Sequence, residues 1–128
     1  MRVLLDTHTF LWFLLDDPKL SAVARAIIEE PDNEIDVSPA TYWEIAIKIG
    51  AKKYELPEPF VPFMERQIAE NDFRILHIFP AHAGVLTELP LHHKDPFDRL
   101  LIAQAIAVDI AVVSADVAFD PYPVRRLW

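Results

Sequence analysis

Short apolar runs alternate with longer segments of helical periodicity along the chain, and this alternation constrains the fold more than any other feature. Such runs predict strands at residues 1–5, 35–37, 74–78, 110–114 and 124–127. Strands that alternate with helices favour a parallel sheet, because each helix crosses the sheet and returns the chain in the same direction. We therefore expect an α/β sandwich with a mostly parallel central sheet flanked by helices.

Capping residues mark the predicted helices. Ser21 can cap a helix that runs through residue 30, and Ser38-Pro39 can begin one that Gly50 ends. Asp95-Pro96 has the same pattern of cap and first-turn proline, and it precedes an apolar helix that reaches residue 108. Weaker patterns predict a turn or short helix at 9–15 and helices at 63–71 and 80–88, with a proline-rich connector at 56–62.

Length and composition exclude several classes of protein. The 128 residues, 52% of them hydrophobic, predict one folded domain spanning 1–128. There is no cysteine, which excludes disulfides, thiol catalysis and cysteine-ligated zinc. With only 2 glycines, the chain contains no glycine-rich dinucleotide-binding turn, P-loop or GxSxG nucleophile elbow.

The formal net charge of −8 bears on partners and location. Proteins that bind duplex nucleic acid over a broad surface are normally basic, so this chain is expected to contact nucleic acid only locally, or to prefer a basic protein partner. Asp6 interrupts the first apolar run, so no signal peptide is expected, and no apolar stretch is long enough to span a membrane. We expect a cytoplasmic protein.

Two predicted strands are followed by an aspartate. Asp6 comes directly after the first strand, and Asp116 follows the strand at 110–114. Each can be a turn residue or a helix cap when it is considered alone. In parallel sheets, however, ligands bind beyond the carboxyl ends of the strands, and both aspartates are predicted at that edge.

Two further acids belong to predicted helices. Glu44 can form an i,i+4 pair with Lys48, but apolar residues surround it, which favours a side chain that faces a pocket. Asp98 can simply complement the helix dipole in the first turn. Because Asp95 suffices as the cap of that helix, Asp98 is free to point towards the edge of the sheet.

If acids from four separate segments converge, a cation has to offset their repulsion. Two like charges about 4 Å apart repel by roughly 4 kcal/mol at an effective dielectric constant of 20. Ligation by oxygen atoms alone favours Mg²⁺ or Mn²⁺ over zinc. Metal-assisted hydrolysis of a phosphodiester is the chemistry that suits such a site.

At these positions the sequence resembles the PIN-domain ribonucleases, and among them the VapC-type toxins of type II toxin–antitoxin pairs. The resemblance covers essentially the whole chain and rests on four marks in a fixed order: Leu4-Leu5-Asp6-Thr7-His8, the segment 38–48 with Trp43-Glu44, the segment 95–105, and Val112-Val113-Ser114-Ala115-Asp116. It implies a single PIN domain, that is, a PIN-like three-layer sandwich, with Mg²⁺- or Mn²⁺-dependent endoribonuclease activity.

The resemblance also assigns roles to residues. It implies that Asp6, Glu44, Asp98 and Asp116 are catalytic and bind the metal, with Asp6 and Asp98 as the main ligands. Auxiliary roles fall to Ser114, Asp95 and Asp120, although Asp120 also fits a turn. Candidates for RNA contact are Lys48, Lys52, Lys53 and Arg99, which equally fit a solvated face or local pairing. The family further implies a homodimer and a cognate antitoxin that blocks the metal site, to which Trp12, Phe13 and Trp43 are candidate contacts.

Two other functions remain open at this level. A phosphotransfer enzyme with an aspartate nucleophile also places an aspartate after its first strand, but its usual second aspartate is replaced here by His8. A catalytically silent PIN-like module that only binds proteins is the other alternative. Such modules are expected to lose one or more of the acids, whereas this chain keeps all four.

Overall fold

The computed structural model describes all residues from 1 to 128 and contains five short strands that form one parallel sheet. The strands are β1 (Arg2–Leu5), β2 (Glu34–Val37), β3 (Arg74–Ile75), β4 (Ala111–Val113) and β5 (Arg126–Leu127). Their order across the sheet is β3-β2-β1-β4-β5, and every neighbouring pair is parallel. The expected mostly parallel sheet is thus confirmed, and no strand runs antiparallel.

Six helices connect the strands. They are α1 (Thr7–Leu14), α2 (Ala22–Glu29), α3 (Pro39–Gly50), α4 (Phe60–Glu70), α5 (Pro80–Leu86) and α6 (Pro96–Val108), and a 3₁₀ turn follows at Val117–Phe119. None of them is long and apolar enough to cross a membrane. Where the sequence carries a side-chain cap, at Ser21, Ser38 and Asp95, the helix begins at the predicted residue.

The apolar side chains of the strands divide between two faces of the sheet. Val3 and Leu5 belong to a core cluster that includes residues of α1, α2, α3 and α4, whereas Leu4 belongs to a second cluster built largely on α6. Successive side chains of a strand point to opposite faces, so a sheet with two apolar faces needs helices on both. This is the expected three-layer sandwich of helices, sheet and helices.

Several predicted boundaries were wrong. Helix α4 begins at Phe60, three residues earlier than predicted, because Pro62 falls in its first turn, where the missing N–H has no partner to lose. Gly50 does not end α3 in the left-handed conformation; Lys52 has the positive φ, 60°. Strand β3 has only two paired residues, because the chain leaves the sheet after Ile75.

Candidate functional site

The four acids singled out in the sequence lie beyond the carboxyl end of the sheet. Asp6 follows β1 and caps α1, and Asp116 lies beyond β4 and caps the 3₁₀ turn. Because β1 and β4 are paired neighbours, their ends present both aspartates at the same edge. Glu44 and Asp98 reach this edge from α3 and from the first turn of α6.

Asp6 is held rigidly at the bottom of the site. It is 4% exposed, its Oδ1 accepts a hydrogen bond from the backbone N–H of Thr9 at 2.8 Å, and its Oδ2 accepts one from Ser114 Oγ at 2.5 Å. Burial raises the pKa of Asp6, and these hydrogen bonds only partly offset that effect. Both oxygens therefore have fixed directions.

Ser114 connects the two aspartates at the strand ends. Its hydroxyl donates to Asp6 and accepts the backbone N–H of Asp116 at 3.0 Å, and the side chain is fully buried. The hydroxyl orients the first aspartate, as the family resemblance implies for this position. The backbone of Asp116 is held by the same contact, while its carboxylate, 46% exposed, remains accessible.

Glu44 is buried at 4% exposure, which agrees with the expectation that it faces a pocket rather than solvent. Its Oε1 accepts a hydrogen bond from Thr7 Oγ1 at 2.7 Å, and its Oε2 accepts one from Lys48 Nζ at 2.7 Å. The i,i+4 pair with Lys48 is therefore also present. Lys48 is occupied inside the site, and this contact makes it a poor candidate for binding RNA phosphates.

Asp98 has the most perturbed ionisation in the site. Its pKa is raised to about 7, first because burial penalises the charged form and then because Asp95 and Asp6 carry negative charge nearby. Glu44 raises this pKa as well, whereas His93 lowers it. The acids are thus close enough to affect one another, and a bound cation would relieve their repulsion.

His93 also belongs to the site, although its contacts with the acids were not predicted from the sequence. Its Nε2 lies 2.9 Å from Asp98 Oδ2 and 3.5 Å from Asp116 Oδ2. One ligand atom each of His93, Asp98 and Asp116 lies within 4.8 Å of the other two. This spacing is compatible with a shared metal ion. From the sequence, His92, His93 and Lys94 form a polar loop by default, with RNA contact beside the cleft as the alternative, and no local pattern predicts contact with the acids.

The other candidate residues have local partners. Asp95 accepts the backbone N–H groups of Phe97 and Asp98, so it is the helix cap and its charge acts on Asp98 from there. Asp120 forms an ion pair with Arg126 at 2.8 Å, and this contact lowers the pKa of Asp120. Asp120 is thus committed to Arg126, whereas Asp95 uses only its Oδ1 for capping.

The basic candidates also differ in what they contact. Arg99 donates to the backbone carbonyls of Leu89 and Pro90, at 3.1 and 2.9 Å, rather than pairing with an acid. Lys52 and Lys53 are exposed just beyond the end of α3. These two lysines therefore remain accessible to an external anion, whereas Lys48 and Arg99 serve the protein itself.

Comparison with known proteins agrees with this architecture. The PIN domain family matches residues 3–124. The chain is 32% identical over 115 residues to Ribonuclease VapC22 of Mycobacterium tuberculosis. The aligned segment covers 89% of this chain and 86% of that protein.

Solved structures share the fold at lower identity. A chain in the structure of VapBC2 from Rickettsia felis, bound to a DNA fragment from its promoter, aligns with a TM-score of 0.75 and 17% identity, covering 99% of this chain and 98% of its own. DNA-bound VapBC from Salmonella typhimurium aligns with a TM-score of 0.73 and 18% identity, covering 99% and 97%. The family match, the relative and the shared fold agree: this chain belongs to the PIN domain family and to its VapC-type members.

Proposed function

We propose that this protein is a metal-dependent endoribonuclease toxin that hydrolyses RNA phosphodiester bonds and is inhibited by a cognate antitoxin. One observation carries the proposal: Asp6, Glu44, Asp98 and Asp116 come from four segments and meet at one edge of the sheet. After burial and Asp95, the charges of Asp6 and Glu44 raise the pKa of Asp98, and His93 lies within 3.5 Å of both Asp98 and Asp116. The relative named a ribonuclease supports RNA as the substrate.

The residues present fit a divalent cation. Carboxylate oxygens dominate the cluster, and hard oxygen ligands suit Mg²⁺ or Mn²⁺. We assign Asp98 and Asp116 as ligands, with Asp6 beside them, directly or through water. When bound, the ion supplies Lewis acidity and neutralises negative charge on a phosphodiester.

The protein's own groups prepare the site for this chemistry. Ser114 and the backbone of Thr9 fix the carboxylate of Asp6, and Thr7 fixes that of Glu44. Lys48 binds the other carboxylate oxygen of Glu44 at 2.7 Å, so this side chain is also held in place beside the acids. Such preorganisation lowers the cost of reorganising the site during the reaction.

An aspartyl-phosphate mechanism is not favoured by the position of Asp6. A nucleophilic carboxylate needs one oxygen free to approach phosphorus, whereas both oxygens of Asp6 accept hydrogen bonds and the residue is 4% exposed. The more exposed acid, Asp116, lies at the outer side of the cluster. This arrangement suits hydrolysis by water.

The proposed protein partners follow from the relatives and from exposed apolar residues. The structural neighbours include VapBC and FitAB complexes, and we infer an antitoxin of the corresponding kind, together with a homodimer. Trp43 is 66% exposed and Ile47 49% exposed on the same helix, α3. Trp12 and Phe13 are half-buried against the core, so Trp43 is the strongest candidate contact among the three aromatic residues.

A nuclease assay with matched aspartate variants tests the proposal. Wild-type protein is incubated with total RNA in Mg²⁺ or Mn²⁺, with and without EDTA, beside Asp98→Asn and Asp116→Asn. We expect cleavage that EDTA abolishes and that each variant reduces by about a hundredfold or more, since the lost groups stabilise charge in the transition state. Folding is checked by circular dichroism.

Asp120→Asn provides the matched control. It removes an aspartate four residues from Asp116 whose carboxylate is bound to Arg126 instead of the cluster. We expect this variant to cleave RNA like the wild type. Cleavage that persists in a well-purified Asp98→Asn preparation would overturn the nuclease proposal, and a folded wild type without any cleavage would indicate a silent protein-binding module.

A further inference from the structure

We propose that His93 is a substrate-binding residue, whose Nε2–H donates a hydrogen bond to a non-bridging phosphate oxygen of the RNA. The inference rests on the proposed ribonuclease function and adds a residue to it. His93 is not one of the four acids, and its role is distinct from theirs: it contacts the anionic substrate, while they contact the cation.

The first support is an unsatisfied donor. The Nε2 atom of His93 is buried and makes no hydrogen bond of acceptable geometry, although Asp98 Oδ2 lies only 2.9 Å away. The other buried side-chain atoms without a partner are oxygens, Asp36 Oδ1 and Gln104 Oε1. A buried donor without an acceptor is costly, so its persistence beside the acids points to an acceptor supplied from outside.

The second support is the tautomer of the ring. His93 Nδ1 accepts the backbone N–H of Asp95 at 3.3 Å, so in the neutral ring the proton resides on Nε2. A metal ligand would need the opposite tautomer, with a lone pair on Nε2, and its Nδ1–H would then face the N–H of Asp95. The local hydrogen bond therefore favours a donor over a ligand.

The third support is the way the loop is fixed. The hydroxyl of Tyr122 accepts the backbone N–H groups of His92 and His93, at 2.9 and 2.7 Å, and donates to the carbonyl of Pro90 at 2.8 Å. The His93 ring also packs edge-on against Phe119, with centroids 6.1 Å apart. A donor held in this way is preorganised for an incoming anion.

The charge of the site explains why such a donor is needed. An RNA phosphate has to approach a cluster of carboxylates in a protein of net charge −8. The nearby cations are committed: Lys48 pairs with Glu44, and Arg99 binds backbone carbonyls. The Nε2 of His93 faces Asp98 and Asp116 and has no such partner, so it is a donor at the acids that an RNA phosphate can use.

The test separates RNA binding from metal binding. His93→Phe keeps an aromatic ring but removes the donor, and His93→Gln restores an N–H group. His92→Phe is the control, because it changes the exposed neighbouring imidazole, which packs on Tyr122. RNA affinity is measured by fluorescence anisotropy with a labelled random-sequence RNA pool in Mn²⁺. All proteins in this assay carry Asp6→Asn to prevent cleavage. Mn²⁺ affinity is measured separately by electron paramagnetic resonance, without that background change.

We expect His93→Phe to weaken RNA binding by about tenfold or more, as for the loss of a hydrogen bond to a charged group. His93→Gln is expected to recover part of the affinity, and His92→Phe to behave like the parent. Mn²⁺ affinity should be the same in all of them. Unchanged RNA affinity in both His93 variants overturns the inference, and so does a tenfold loss of Mn²⁺ affinity, which would identify a metal ligand.

These outcomes differ from a failure of the proposed function. If wild-type protein cleaves RNA and the His93 variants bind RNA normally, only the role of His93 is wrong. If wild-type protein neither cleaves RNA nor binds Mn²⁺, the ribonuclease proposal itself fails. Thermal melts of each variant show whether a change in affinity reflects loss of folded protein.

Discussion

Two groups of acids in this molecule are stabilised in opposite ways. Asp36 lies within the sheet at 1% exposure, and arginines accompany it: Arg2 at 2.7 Å and Arg74 at 3.6 Å. The acids beyond the strand ends have Lys48 as their one close lysine or arginine partner, and Asp98 is pushed towards its neutral form instead. An acid compensated by the protein supports the fold, whereas the uncompensated acids are those that we propose to bind an external cation.

The largest effect that sharpens this comparison is stabilisation by metal. We expect Mn²⁺ at a hundredfold excess over its dissociation constant to stabilise the wild type by about 2.7 kcal/mol, because the ion binds only the folded state. The melting temperature should rise by several degrees. Asp98→Asn should lose most of this rise, while Asp36→Asn should retain it. Differential scanning calorimetry in Mn²⁺ and in EDTA measures both; an equal rise in all three proteins contradicts the comparison.

The second prediction concerns Asp36 itself. Asp36→Asn should lower the free energy of unfolding by about 2 kcal/mol, because it removes hydrogen bonds between charged groups inside the sheet. Arg2 and Arg74 can turn to solvent, which keeps the loss below that of a fully buried pair. Urea denaturation gives the value. A variant as stable as the wild type would show that the arginines contribute little.

The third prediction concerns pH in the metal-free protein. The pKa of Asp98 is near 7 in the folded state and 3.8 as its ordinary value, so the folded state binds more protons between these limits. Stability from this group is complete below about pH 4 and is lost as pH rises through 7. With solvent screening of a side chain that is 21% exposed, we expect a loss of about 1–2 kcal/mol.

Asp98→Asn is the control for that experiment. Subtracting its stability from that of the wild type, between pH 4 and 8 in EDTA, isolates the contribution of Asp98 from other titrating groups. As the pH rises, the wild type should lose free energy of unfolding relative to Asp98→Asn. A difference that stays constant over this range would mean that neither burial nor the neighbouring carboxylates raise the pKa of Asp98.

The smallest expected effect comes from Ser114→Ala. It removes the hydroxyl that donates to Asp6, and we expect a cost of about 1 kcal/mol in stability, as for an ordinary hydrogen bond. The pKa of Asp6 should rise further, because a contact that lowers it is lost. Urea denaturation and a carboxylate-edited NMR titration measure the two effects. A pKa of Asp6 that does not rise would show that burial alone determines it.

The fold was predictable where local signals and packing agree. Asp95-Pro96 defined the start of α6 because cap and proline act within a few residues. By contrast, β3 was predicted too long, since the point where a chain leaves a sheet depends on its neighbours rather than on its own pattern. Helix α3 ends at Gly50 as predicted, but the left-handed residue that follows the helix is Lys52, since Gly50 itself keeps a helical conformation.

Sequence reasoning identified the acids of the site better than their surroundings. The acids follow strands or open a helix, and these positions can be read along the chain. The location of His93 next to Asp98 and Asp116 depends on Tyr122, almost thirty residues away, through contacts that no local pattern reveals. For the same reason the sequence left Asp120 open as an auxiliary ligand or a turn residue, whereas in the structure it pairs with Arg126.

The hydroxyl of Tyr122 anchors the loop that carries His93. It joins the chain around Pro90, the loop at His92 and His93, and the guanidinium of Arg99, which lies 3.3 Å away. One hydroxyl thus holds several groups of the segment 90–99 from a residue 23 to 32 positions further along the chain. A substitution at Tyr122 would therefore shift the loop that carries His93 without changing any of the four acids.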